Sequence, residues 1–114
     1  MADRGDGDYS FLRNALRRAW GNDPEKQFAL LAARVPYVGD DKRCKWLYVC
    51  NMCKTPRKRT EVHVDHIIPC GRFTQFKHRE KFLLTLFCRA SENLQILCRG
   101  CHKIKGLTTD REYY

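Results

Sequence analysis

Two cysteine pairs constrain this chain more than any other feature. Cys50-Asn51-Met52-Cys53 and Cys98-Arg99-Gly100-Cys101 each space two thiols by two residues. A loop of that length can present both sulfurs to one tetrahedral ion, and four thiolates close a structural zinc site. The two pairs stand much further apart than the halves of a short zinc finger, so a small folded motif has to lie between them. A redox role and incidental burial are the competing explanations. The redox role calls for a βαβ pattern around the pair, and none is present. Zinc is the expected partner of Cys50, Cys53, Cys98 and Cys101.

That reading needs reduced thiols, which are the rule where no export signal operates. The N-terminus reads MADRGDGDYS, acidic and glycine-rich without an apolar stretch, unlike a signal peptide. The apolar stretch Phe82 to Cys88, interrupted only by Thr85, is far too short to cross a bilayer. No membrane association is expected, and the expected location is the cytoplasm of a cell or of an infected host. With 114 residues, 43% of them apolar, the chain suits one globular domain. Its 22 Lys and Arg against 13 Asp and Glu leave a charge of +9. Such a surplus attracts polyanions, nucleic acid first among them.

The coarse layout is α+β. Residues 1–8 read as a disordered leader. From Ser10 a helical pattern puts Phe11, Leu12, Ala15, Leu16, Ala19 and Trp20 on one face, with Arg13, Arg17 and Arg18 away from it. Gly21-Asn22 stops it. Asp23 as N-cap and Pro24 at the first helical position start a second helix to about Arg34, whose Phe28, Leu31 and alanines would pack on the first. This pair, within residues 9–36, is expected to support the fold rather than touch DNA. Pro36 and Gly39-Asp40-Asp41 separate it from a short strand, Lys45 to Val49. The basic run from Lys54 to Arg59 follows, either a solvated turn or a phosphate contact through Arg57, Lys58 and Arg59. Thr60 to Ile67 alternates as a half-buried strand, broken by Pro69 to Gly71. A helix carrying Phe73, Phe76, Leu83, Leu86 and Phe87 on one face ends near Cys88, a strand spans Leu94 to Leu97, and the second cysteine pair opens a last helix.

Between the cysteine pairs lies Val64-Asp65-His66-Ile67-Ile68-Pro69. Asp65 is a hard oxygen ligand suited to a magnesium-like ion. His66 titrates near neutral pH and can take a proton from water. Strand neighbours point to opposite faces unless an irregularity re-aims one, and the break at 69–71 is expected to supply it. His102, next to Cys101, is a second candidate ligand.

Asp65-His66, Asn93 within Glu-Asn-Leu-Gln, and Cys98-x-x-Cys101-His102-x-x-Lys105 together resemble the HNH endonuclease family (the ββα-metal or His-Me finger nucleases), in its zinc-binding, phage-type branch. The resemblance spans about Cys50 to Gly106. It implies a small zinc-stapled ββα-metal core, residues 44–106, within a single domain of residues 1–114. It further implies that Asp65 and His102 hold one catalytic divalent ion (magnesium, manganese or nickel), that His66 is the general base, and that Asn93 fixes the loop carrying it or approaches the metal. The zinc would be structural. The substrate would be DNA, hydrolysed at a phosphodiester with Arg99, Lys103 and Lys105 on flanking phosphates. Phage packaging proteins would be partners of a monomer or dimer in a bacterial or phage-infected cell. The acids near the motif, Glu61, Asp65 and Glu92, are too few for two catalytic metals. The helix inserted between Phe73 and Arg89 departs from the shortest family pattern. His63 is either an added metal ligand or an exposed bystander, His78 a surface residue, Cys70 and Cys88 core thiols, and Cys44 outside the zinc set. The alternative function is a non-catalytic zinc module that binds DNA or a protein.

Overall fold

The computed structural model describes residues 4–113. In chain order these form α1 (Ser10–Trp20), α2 (Pro24–Ala33), β1 (Arg34–Pro36), β2 (Trp46–Val49), β3 (Pro56–Arg57), β4 (Val62–His66), α3 (Arg79–Leu86), the single-turn α4 (Ala90–Asn93), β5 (Leu94–Cys98) and α5 (Arg99–Tyr113). Single 3-10 turns at Arg59–Glu61 and Phe76–His78 lead into β4 and α3. Among the described residues the architecture is α+β, with a β1-β2-β3 sheet and a β4-β5 sheet, both antiparallel. No helix among them is long and apolar enough to cross a membrane.

The β4-β5 pair organises the molecule because its two faces carry different chemistry. The register is Val62↔Cys98, His63↔Leu97, Val64↔Ile96, Asp65↔Gln95 and His66↔Leu94. With a period of two, Val62, Val64, Leu94 and Ile96 share one face while His63, Asp65, Gln95 and Leu97 share the other. The apolar face receives α2, whose Ala29 and Leu30 are buried with Val62, Cys88, Leu94 and Ile96. The polar face receives α5. The ladder runs without a bulge through His66, so the irregularity expected at 69–71 begins only after it.

The helical pair departs from its sequence reading. Helix α2 packs on the sheet rather than on α1, and it turns Phe28 and Leu31 outward, 55% and 50% exposed. Small Ala29 lets the backbone approach β5, a fit that a phenylalanine at the interface would prevent. Helix α1 covers a second cluster of Tyr9, Cys70, Phe73, Phe82 and Leu86 through Leu12, Leu16 and Trp20. Phe11, Ala15 and Ala19 stay exposed, and the half-buried companions of the apolar stripe are Arg13 and Arg17. Long arginine stems can lie on aromatic surface, and the Arg17 guanidinium stands 6.0 Å from the Phe82 ring. Trp20 contacts both clusters and joins them.

Three further segments differ from expectation. The second helix ends at Ala33, within a residue of the expected end, but extended Arg34 unexpectedly opens a strand that pairs Arg34↔Tyr48 and Pro36↔Trp46. Phe73 lies ahead of α3, outside any helix or strand, and the inserted helix starts only at Arg79. Residues 4–8 are not a structureless leader. Asp6 bridges Gln75, Phe76 N–H donates to Gly5 O at 3.0 Å, and Tyr9 Oη donates to Gly5 O at 2.6 Å. Residues 1–3 of that expected leader lie outside the described residues.

Candidate functional site

The cysteine pairs, 45 positions apart from Cys53 to Cys98, meet at one corner. Cys50 follows β2 fully buried, and the turn after it closes through Lys54 N–H to Cys50 O at 2.9 Å. Lys54 takes a φ of 61°, left-handed and costly by about 1 kcal/mol for a residue with a Cβ. Asn51 N–H donates to Ile96 O at 2.8 Å, which clamps this knuckle against β5. The second pair sits where β5 becomes α5, so Cys98 comes from a strand and Cys101 from the first turn of a helix. The four sulfurs lie within 4.8 Å of one another, with Cys53 and Cys98 3.9 Å apart. Sulfurs 2.3 Å from a tetrahedral zinc stand about 3.8 Å apart. Crowding also sets the thiols competing for protons. The Thr55 hydroxyl and amide draw Cys53 down to about 6, while the neighbouring Cys98 thiol pushes Cys101 up to about 12. A dication resolves that competition by taking all four as thiolates, and the start of α5 favours the negative charge. The four-cysteine cluster suggests a structural zinc site. Cys44 stays outside it, its thiol on Trp46 O at 3.5 Å.

The polar face of β4-β5 brings Asp65 and His102 together. Asp65 Oδ1 lies 3.6 Å from His102 Nε2. The other carboxylate oxygen accepts from Lys105 Nζ at 2.6 Å and from Gln95 Nε2 at 3.1 Å. Lys105 also donates to the backbone carbonyl of His66. His102 and Lys105 reach the same carboxylate because positions three apart share a helix face. His63, two residues before Asp65 on this face, stacks its ring on His102 with centroids 5.0 Å apart. Burial lowers the pKa of His63, and the neighbouring His102 lowers it further. Gln95 turns its carbonyl toward the Cys50–Cys53 knuckle, where Asn51 Nδ2 donates to it at 2.8 Å.

His66 belongs to the opposite face. Its side chain is 7% exposed, packed on Trp20 with ring centroids 4.4 Å apart. Nε2 stands 2.9 Å from Leu86 O, the end of α3. A carbonyl only accepts, so the proton of a neutral ring sits on Nε2 and the lone pair on Nδ1. Burial holds the pKa below its ordinary value of 6.5, against the raising effect of the Leu86 contact and of Asp65. The ring is therefore neutral at pH 7. The loop after it is held by Asn93, whose Oδ1 accepts from Ile68 N–H at 2.8 Å and whose Nδ2 donates to Ile68 O at 2.9 Å. The Asn93 carbonyl also accepts from Ile67 N–H at 2.8 Å.

The basic residues named from the sequence divide. Lys103 is exposed on α5. Arg99 donates to Thr60 O at 2.9 Å and ties α5 to the turn before β4. Arg57 is half-buried in β3 with its Nε enclosed, Lys58 lies 3.9 Å from Asp41, and Arg59 donates to Val62 O at 3.4 Å. Lys105, read from the sequence as a phosphate contact, is 17% exposed and directed at Asp65. His78 is more than a surface residue, since its Nδ1 accepts from the Thr74 and Gln75 amides at 3.4 and 3.3 Å. The contacts of Gln95 with Asp65, and of Trp20 and the Leu86 carbonyl with His66, are not legible in the sequence. The first depends on strand register and the others on distant packing, so only the Lys105 contact had a local signal, its i, i+3 spacing from His102. Comparison with family models, with curated proteins and with solved structures finds no match for the chain.

Proposed function

We propose that the chain is a metal-dependent DNA endonuclease of the HNH kind, hydrolysing phosphodiester bonds with His66 as general base. The observation that carries this reading is the 3.6 Å approach of Asp65 Oδ1 to His102 Nε2 from separate elements. Two donors each about 2.1 Å from one ion stand about 3 to 3.5 Å apart, so the pair fits two ligands of a single divalent cation. Magnesium, manganese or nickel held there would supply charge neutralisation at the phosphate and at the departing oxygen. The chain's own residues account for the rest. Gln95 and Lys105 orient the Asp65 carboxylate, and Lys105 gives it a counter-charge that an arriving cation has to share or displace. Burial keeps the His66 ring neutral, and the Leu86 carbonyl fixes the tautomer so that Nδ1 is the atom left to accept a proton from water. Asn93 holds the loop that follows. The +9 surplus, with exposed Lys103 among its sources, suits a polyanionic substrate.

The second reading, a zinc-dependent DNA-binding or protein-interaction module without catalysis, is favoured by one observation. The His66 ring and the Asp65 carboxylate lie on opposite faces of an unbroken ladder. Nicking of supercoiled plasmid decides between them. Purified protein is expected to nick in magnesium, manganese or nickel. Asp65→Asn and His66→Ala are expected to abolish nicking while retaining DNA binding and a cooperative melt. Absence of nicking with every metal, alongside intact DNA binding, would establish the non-catalytic module.

A further inference from the structure

Helix α1 brings a cation to the His66 side of the molecule that no step above uses. Trp20 lies on the His66 ring at 4.4 Å between centroids. One turn earlier on the same face, Arg17 stands over Phe82 at 6.0 Å. Phe82 is itself one turn before Leu86, whose carbonyl holds His66 Nε2. Arg17 thus lies on the same side of the sheet as the imidazole, linked to it through Trp20 on α1 and through Phe82 and Leu86 on α3. Its charge is felt at both His66 and Cys70. Nε is buried without a partner, while neither Nη is so enclosed. Among the described residues no carboxylate pairs with it.

A half-buried guanidinium without a counter-ion is unfavourable, because its desolvation is not offset by an opposite charge. An anion brought by a ligand would relieve that cost, and the two Nη groups are open to receive one. We propose that Arg17 binds a DNA phosphate beside His66, presenting its planar fork to the non-bridging oxygens. This rests on the endonuclease reading and extends the substrate site from the β4-β5 corner onto α1. Guanidinium suits the task because two parallel N–H donors match two phosphate oxygens. Helix α1, expected to be a support alone, then has a contact of its own with the substrate.

The test uses the full chain with Arg17→Met, Arg17→Lys and Arg18→Met, the last removing an equal charge from the exposed side of the same helix. Methionine retains apolar contact with Phe82, so the thermal melt is expected to stay near that of the wild type. DNA affinity is measured by anisotropy on one duplex across a salt series. Loss of one phosphate contact lowers the slope of log Kd against log salt by about 0.9. That loss is expected for Arg17→Met, not for Arg18→Met, with Arg17→Lys in between. Plasmid nicking is expected to fall about 100-fold in Arg17→Met, on the scale of one lost donor to a developing anion. Equal slopes for wild type and Arg17→Met, or equal losses in Arg17→Met and Arg18→Met, overturn the assignment. If the wild type does not nick at all, the endonuclease reading fails while the salt slopes still decide whether Arg17 holds a phosphate.

Discussion

Removal of zinc is the perturbation whose effect can be worked furthest. The cluster joins Cys53 to Cys98 across 45 positions. Treated as a single cross-link, closure of that loop removes about 4 kcal/mol of chain entropy from the unfolded state. Domains of this size have about 5–15 kcal/mol in all, so the staple is a large share. An unfolding entropy of about 2.1 cal/mol/K per residue over 114 residues converts 4 kcal/mol into a fall of about 17 °C in Tm. The sulfur–zinc bonds add to this, making the figure a floor. The assay is elemental analysis of the purified protein, then melting by circular dichroism with and without a zinc chelator, beside Cys53→Ser and Cys44→Ser. Stoichiometric zinc is expected, with a large fall in Tm on chelation and in Cys53→Ser, and little change in Cys44→Ser, whose thiol faces Trp46 O. Zinc-free protein whose Tm ignores both chelation and Cys53→Ser would refute the reasoning.

Two further outcomes follow from the His66 side. Asn93→Ala removes two hydrogen bonds to Ile68, but Ile68 is 58% exposed and water replaces them, so global stability is expected to fall by only about 1 kcal/mol. The loop after His66 would loosen, seen as faster amide exchange at Ile68; unchanged exchange would count against the clamp. For His66 the sign is set by its lowered pKa. The unfolded chain takes its proton near 6.5 and the folded chain only at lower pH, so stability is constant above 6.5 and lost as pH falls through the folded value. Urea melts between pH 5 and 7.5 are expected to show this loss in wild type and less of it in His66→Gln, which cannot titrate; parallel profiles would sink it.

What could be read from the sequence was what short range determines. Cysteines two apart share a loop whatever surrounds them, and the alternation of Val62 and Val64 with His63 and Asp65 specifies a two-faced strand on its own. The helix faces were another matter. Leu12, Leu16 and Trp20 define a stripe that either Phe11, Ala15 and Ala19 or Arg13 and Arg17 can complete. The second set completes it because α1 lies on Phe73 and Phe82, where arginine stems fit. Phe28 and Leu31 look like core residues in the sequence, and Ala29 does not, because apolar size says nothing of how closely two backbones must approach. Gln95 was invisible until the register set it opposite Asp65.

The staple and the Asp65 corner are chemically separate, for four thiolates around zinc leave no open position. Mechanically they are one unit, joined twice. Cys101 and His102 are consecutive, so whatever fixes the first sulfur fixes the rotation of α5 that directs His102 and Lys105 at Asp65. The knuckle reaches the same carboxylate from below, through Asn51 to Gln95 and Gln95 to Asp65. Helix α1 and the His66 ring lie across the sheet, held by Trp20 and Leu86, and only the His66 backbone carbonyl meets the α5 connection, through Lys105. Loss of a zinc held by the four cysteines would therefore be expected to disorder the Asp65–His102 approach first, while the His66 ring keeps its packing. In this fold the Asp65–His102 corner and the His66 ring depend on two different cores, and the β4-β5 pair is the element common to both.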